Sequence, residues 1–201
     1  RGRPRLKRVV FVLTALLLST GSMLSLLLGA DLYFHKRLEN SAGLNYRGYR
    51  GPVLGRKQPG EARMVVLGGS VAFGYGVPWD QAFPARLEQK LNEDRRQRRL
   101  PRVSIANLAF NAQAAYSLVY VLQDYESLDY DLALFYSGYN DIGGINTSVF
   151  RRESPIFRLT GYYPILPLVF KEKAMALRYG GDIDAGYRGE ISAILINLGN
   201  Q

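Results

Sequence analysis

The feature that most constrains this chain is a long apolar run near its amino terminus. Residues 9–30 contain no charged side chain. About 22 residues at a rise of about 1.5 Å each make a helix of about 33 Å, which is enough to cross the hydrocarbon core of a bilayer. Aromatic and charged residues follow at once, as expected where a helix leaves the membrane. The run therefore predicts a transmembrane helix, with the bilayer as its partner.

The flanks of this run predict its orientation. Basic side chains crowd the first eight residues: Arg1, Arg3, Arg5, Lys7 and Arg8. An excess of positive charge marks the cytoplasmic side, so we expect residues 1–8 to form a cytoplasmic tail. We expect everything after residue 31 to lie on the extracytoplasmic side, which is the periplasm for a bacterial inner membrane. A cleavable signal peptide is the alternative. The run exceeds the usual 7 to 15 apolar residues of a signal peptide, which favours an uncleaved signal anchor.

Composition excludes several classes of function. The chain has no cysteine, so disulfides, thiolate metal sites and cysteine nucleophiles are absent. Its net charge is +9. The basic tail belongs to the membrane topology, and a second basic run at residues 95–99 reads as the solvated end of a surface helix. We therefore expect no nucleic-acid partner.

Beyond the apolar run, the pattern predicts a linker followed by one domain. Residues 31–62 are rich in glycine and charge and predict a juxtamembrane linker, and residues 63–201 predict the domain. The domain alternates strands and helices, with strands at 63–67, 103–107 and 132–136 and helices at 83–98 and 113–125. This order indicates an α/β fold with a parallel sheet. Ser70, Asn107 and Asn140 fall at or just past strand ends, where ligands gather.

The sequence VVLGGSVAFGYGV, residues 65–77, poses the functional question. No lysine followed by serine or threonine comes after its glycines, so it is not a phosphate-binding P-loop. The glycines are not spaced as in a dinucleotide fingerprint. The nucleophile elbow G-x-S-x-G fails because Ala72 stands at the place of its second glycine. What remains is a strand, Gly-Gly-Ser, and a glycine four residues after Ser70.

Three blocks in this order resemble the SGNH (GDSL-type) hydrolases. The family's G-D-S-x-x-x-G block is similar to residues 68–74, with Gly69 in place of the aspartate. Its N-x-G-x-x-G block is similar to residues 107–112, with alanine at both glycine positions. Its G-x-N-D block is matched in full by Gly138, Tyr139, Asn140 and Asp141. The resemblance implies a three-layer, flavodoxin-like parallel sheet preceded by the one transmembrane helix.

The family's mechanism gives each matched residue a role. The resemblance implies that Ser70 is the nucleophile and that the Ser70 and Ala112 backbone N–H groups and the Asn140 amide form the oxyanion hole. Gly138 and Asp141 complete the third block. The resemblance implies no metal and no cofactor. Alanine at 112 keeps the N–H donor, but we expect it to lose a backbone conformation that glycine tolerates best.

The family's last block, D-x-x-H, has no counterpart, since His35 is the only histidine. We expect His35 to be an interfacial side chain, and we expect the domain to be incomplete at its carboxyl end. If the full-length chain supplies the missing pair, the resemblance implies a serine esterase or acyltransferase acting on acyl or acetyl esters of a lipid or glycan. The alternative is an inactive accessory subunit of a membrane complex.

Residues 154–179 bear on this choice. They combine apolar and aromatic side chains with prolines at 164 and 167, which argue against a regular helix. A lid, a patch on the bilayer, a surface for other membrane subunits and burial in the domain core all remain open.

Overall fold

The computed structural model describes residues 3–142, 152, 154–182 and 185. The calls on residues 1–2 and on the carboxyl-terminal part of the domain after 185 lie outside these residues. The described helices are α1 Arg3–Ala42, α2 Ser70–Phe73, α3 Phe83–Gln97, α4 Ala115–Asp124, α5 Tyr139–Ile142, α6 Pro155–Thr160 and α7 Leu166–Arg178. The strands are β1 Ala62–Gly68, β2 Val103–Asn107 and β3 Leu132–Tyr136, and short 3-10 turns occupy Trp79–Gln81 and Glu126–Leu128.

Helix α1 is 40 residues long and carries the apolar run on exposed turns. In the part of the chain that the structure describes, it is the one helix long and apolar enough to cross a membrane. It does not stop at the predicted interface but continues to Ala42, through the first part of the predicted linker. No glycine or proline interrupts residues 31–42. Gly43 then ends the helix with a left-handed φ of 70°.

The sheet is parallel, with β1 in the centre and the order β2-β1-β3. The predicted strands at 103–107 and 132–136 are confirmed residue for residue, and β1 is one residue longer at each end than predicted. The α/β class with a parallel sheet is thus confirmed. Successive side chains of β1 point to opposite faces. Val65 and Leu67 pack with α4, whereas Val66 packs against the side that carries α2 and α3.

The prediction that prolines keep residues 154–179 from regular helix is wrong for most of the segment. Pro155 and Pro167 lie in the first turns of α6 and α7. In the first turn a proline loses no intrahelical hydrogen bond, because those N–H groups have no partner within the helix. Only residues 161–165, which include Pro164, form a turn between the two helices.

Candidate functional site at the carboxyl edge of the sheet

Ser70 and Asn140 lie at the carboxyl edge of two neighbouring strands. Ser70 is the first residue of α2, which follows β1, and Asn140 belongs to α5, which follows β3. The chain pairs β2 on one side of β1 and β3 on the other, so the strand order reverses here. Open α/β sheets bind ligands in the crevice at such a reversal. The candidate residues therefore lie at the sheet edge where folds of this class bind their ligands.

The three sequence blocks meet around Gly69. The Asn140 side-chain amide donates to the Gln113 carbonyl oxygen at 2.8 Å. A Cβ atom at Gly69 would lie 2.5 Å from Asn140 Nδ2 and 3.4 Å from the Gln113 oxygen. Any larger residue at this position would require Asn140 to move. The contact brings together the residue before Ser70, the residue directly after the second block and Asn140 of the third block.

Ala112 adopts the left-handed conformation that the sequence led us to expect it to lose. Its φ is +56°. For an L-residue other than glycine this costs roughly 1–2 kcal/mol. Among the described residues, no acceptor is bonded to the Ala112 N–H. A strained residue with an unused donor is typical of functional loops, where surrounding contacts hold it in place.

Ser70 itself is partly exposed, and in the described part of the chain its hydroxyl makes no hydrogen bond. Its carbonyl accepts the N–H groups of Gly74 at 2.9 Å and Tyr75 at 2.9 Å, which closes a tight turn behind it. Gly74 has a φ of +83° in this turn. The backbone around the hydroxyl is therefore well fixed while the hydroxyl stays accessible.

Asp141 fixes the backbone around the candidate site through both of its carboxylate oxygens. One carboxylate oxygen accepts the Ala115 N–H at 2.9 Å, and the other accepts the Ser137 hydroxyl at 3.2 Å. Ala115 is the first residue of α4. The N–H groups in the first turn of a helix have no partner within the helix. Asp141 thereby ties α5 to the start of α4. Gly138, with a φ of +125°, makes the turn between β3 and α5.

Asn107 lies at the same edge, but its side chain serves the framework. It is buried, and its amide donates to the carbonyl oxygens of Ala72 at 3.1 Å and Phe73 at 3.2 Å. Its own Oδ1 accepts the Ala109 N–H at 3.2 Å. The amide nitrogen therefore holds α2 against β2, and the amide oxygen fixes the chain just after β2.

Sequence reasoning missed Arg50, which holds the turn after Ser70 from the opposite side. Arg50 is 6% exposed. Its guanidinium donates to the carbonyls of Phe73, Gly74 and Val77 and, through Nε at 2.9 Å, to the carbonyl of Ala42 at the end of α1. Burial lowers the pKa of Arg50. Nothing in a glycine-rich linker signals this role, because all its partners are backbone carbonyls.

Gln113 was missed as well. It is 1% exposed, and neither the oxygen nor the nitrogen of its side-chain amide has a hydrogen-bond partner among the described residues. Buried polar groups are nearly always bonded, so an exception beside a candidate site is informative. Its only signal in the sequence is its position directly after the second block.

His35 and Asp31 do not join Ser70. His35 Nε2 donates to the Tyr163 carbonyl at 2.7 Å, and Asp31 accepts the N–H groups that begin α7. His35 is buried against residues 161–165, and its interfacial position stays a prediction. Among the described residues, no group of three histidine, cysteine, aspartate or glutamate side chains is placed to hold a metal ion.

Comparisons of the chain with protein-family models, with curated proteins and with solved structures find no match.

Proposed function

We propose that this chain is a membrane-anchored, SGNH-like serine esterase or acyltransferase with Ser70 as its nucleophile. Helix α1 anchors it, with the tail in the cytoplasm and the domain in the periplasm. The observation that carries the proposal is the meeting of Gly69, Gln113 and Asn140 beside Ser70. These residues come from three separate connections, and a mere strand-exit turn does not require that convergence. The order β2-β1-β3 also fits the flavodoxin-like arrangement that the family resemblance implies.

The proposed oxyanion hole uses the N–H groups of Ser70 and Ala112 and the amide of Asn140. An amide nitrogen carries two hydrogens, so the bond from Asn140 to Gln113 leaves a second donor for a substrate oxygen. The unused N–H of Ala112 supplies another. A single donor of this kind is typically worth about 10²- to 10³-fold in rate.

In the proposed reaction, the Ser70 oxygen attacks the ester carbonyl and loses its proton to a general base. The alcohol leaves, and water or an acceptor hydroxyl then releases the acyl group from the serine. His35 is not that base, because it is buried against residues 161–165 and does not join Ser70. If the full-length chain supplies the D-x-x-H block that the resemblance implies, the histidine of that block is the base.

A second function, that of an inactive accessory subunit, is favoured by one observation. The sole histidine of this sequence supports a contact between α1 and the turn at residues 161–165. A chain that uses its histidine for structure, and that had no other, would keep the fold without the chemistry.

Labelling with a fluorophosphonate probe distinguishes the two. Membranes containing the full-length protein are treated with the probe beside Ser70→Ala and Ser127→Ala variants, the latter altering an exposed serine in a distant turn. We expect the wild type and Ser127→Ala to be labelled and Ser70→Ala to lose the label. Equal labelling of all three, or none in a folded protein, would refute the role of Ser70 as nucleophile.

A further inference from the structure

The start of α7 is fixed to α1 at the point where α1 leaves the apolar run. Asp31 directly follows that run and is only 5% exposed. One of its oxygens accepts the N–H groups of Ile165 at 2.8 Å and Leu166 at 2.6 Å, and the other accepts the Tyr162 hydroxyl. If α1 spans a bilayer, Asp31 lies at the boundary of the hydrocarbon core. The first residue of α7 lies at the same depth.

This attachment is held at two successive turns of α1. One turn beyond Asp31, His35 donates to the carbonyl of Tyr163, whose own N–H donates to the Tyr46 carbonyl at 2.8 Å. Burial and the nearby Asp31 carboxylate raise the pKa of Tyr162, which keeps its hydroxyl a donor. Two contacts on consecutive turns fix both the depth and the orientation of the segment relative to α1.

Within the described part of the chain, helix α7 has an exposed apolar face flanked by positive charge. Phe170 is 63% exposed and Leu177 87%, and Ala174 is exposed between them. These positions are spaced i, i+4 and i+7, so they share one face of the helix. Met175, on the opposite face, is buried. The basic residues of the helix, Lys171, Lys173 and Arg178, lie on either side of the apolar face by helical geometry.

The length of α7 limits how far Phe170 can lie from the boundary. Phe170 is four residues beyond Leu166, or about 6 Å along a helix axis. The polar region of each leaflet is itself about 5–7 Å thick. Whichever way α7 points, Phe170 therefore stays within or next to the polar region of the leaflet. The neighbouring α6 adds Ile156 and Leu159, both more than half exposed.

We propose that α7 is an interfacial helix whose Phe170, Ala174 and Leu177 face rests on the bilayer that α1 crosses. An apolar face bordered by lysine and arginine is the pattern of helices that lie on membranes containing anionic lipid. This inference rests on the membrane anchor of the proposed function and not on its chemistry. The contact holds the domain against the membrane at a second point beside α1.

Tryptophan quenching by brominated lipid tests the contact. The single native tryptophan is removed as Trp79→Phe. One tryptophan is then placed at a time as Phe170→Trp on α7, as Leu17→Trp within the apolar run, or as Leu100→Trp. Leu100 is exposed and precedes β2, so it lies toward the sheet edge opposite the turn that Arg50 ties to α1. The full chain is reconstituted in vesicles of phosphatidylcholine and phosphatidylglycerol brominated near the headgroup end of the acyl chains.

We expect the tryptophans at 17 and 170 to lose fluorescence in brominated vesicles relative to unbrominated ones, and the one at 100 to keep it. The emission of Phe170→Trp should also shift to shorter wavelength on reconstitution. Quenching at 17 but not at 170 would overturn the interfacial helix while leaving the anchor intact, and would assign the apolar face to another protein. Absence of quenching at 17 would overturn the anchor and, with it, this inference.

Discussion

Substitution of Gly69 by alanine is the sharpest test of how the candidate site is built. The φ of Gly69 is −84°, which alanine adopts without strain. The only obstacle is therefore the added methyl group, which would lie 2.5 Å from Asn140 Nδ2. A Cβ atom does not approach a nitrogen atom of another side chain that closely. Asn140 must move, and its hydrogen bond to the Gln113 carbonyl is lost.

The size of the effect follows from the groups involved. Losing the hydrogen bond and leaving the Gln113 carbonyl without its donor costs about 1–3 kcal/mol. Replacing glycine restricts the unfolded chain, which returns about 0.4–1 kcal/mol. We expect Gly69→Ala to lower the free energy of unfolding by about 1–2 kcal/mol. For a chain of this size that corresponds to a fall in Tm of roughly 2–8 °C.

A double-mutant cycle with Asn140→Ala isolates the contact. In the Asn140→Ala background the methyl group meets no amide, so Gly69→Ala should be neutral or slightly stabilising. Gly55→Ala is the matched control, because a Cβ there meets no atom within 4 Å and Gly55 is not a positive-φ glycine. Thermal unfolding in detergent, followed by circular dichroism, measures all four chains and the control. An equal loss of stability in both backgrounds would refute the reasoning.

Two further predictions concern Ala112, in the loop between β2 and α4, and Glu61, which directly precedes β1. Ala112→Gly removes left-handed strain of about 1–2 kcal/mol but loosens the unfolded chain by about 0.4–1 kcal/mol, so Tm should stay level or rise slightly, whereas Ala114→Gly should lower it. Burial alone would raise the pKa of Glu61, but hydrogen bonds from Ser104 and Arg63 outweigh it and lower the pKa below its ordinary value of 4.5. A carboxylate whose pKa is lowered by folding contributes stability above its unfolded-state pKa, and this stability is lost as the pH falls through its folded-state pKa. Glu61→Gln should therefore reduce the fall of Tm at acid pH. An unchanged fall of Tm at acid pH would contradict this.

The sequence was sufficient for those parts of the fold that repeat a local pattern. Residues 103–107 and 132–136 are short runs rich in apolar side chains, and such runs beside turn signals are typical of strands, as the structure confirms. The alternation of strands and helices implied a parallel sheet, and parallel strands bring their carboxyl ends to one edge. For this reason the sequence alone predicts Ser70 and Asn140 at the same edge of the sheet.

The remaining features depend on contacts between distant residues that no local pattern records. Ala112 is left-handed because its surroundings hold it there, and an isolated alanine gives no sign of this. The role of Arg50 depends on its bonds to backbone carbonyls, and Phe73, one of these partners in the turn after Ser70, lies 23 positions later in the sequence. In the sequence, Asp31 has only the features of an interfacial charge. Its bonds to the start of α7 join residues more than 130 positions apart.

The proposed anchor and the proposed site together set a height that bears on the substrate. Ala42 lies 11 residues beyond Asp31 on the same helix, which is about 16 Å of axial rise. A typical tilt of about 20° reduces this height only slightly. Arg50 joins the Ala42 carbonyl directly to the Phe73 carbonyl in the turn behind Ser70, so the turn lies near that end of α1. An ester buried at the edge of the hydrocarbon core would have to be lifted by more than the thickness of the headgroup region to reach Ser70. Within the proposed function, this distance favours acyl or acetyl esters on groups that project from the membrane, such as a glycan, over the acyl chains of the bilayer lipids themselves.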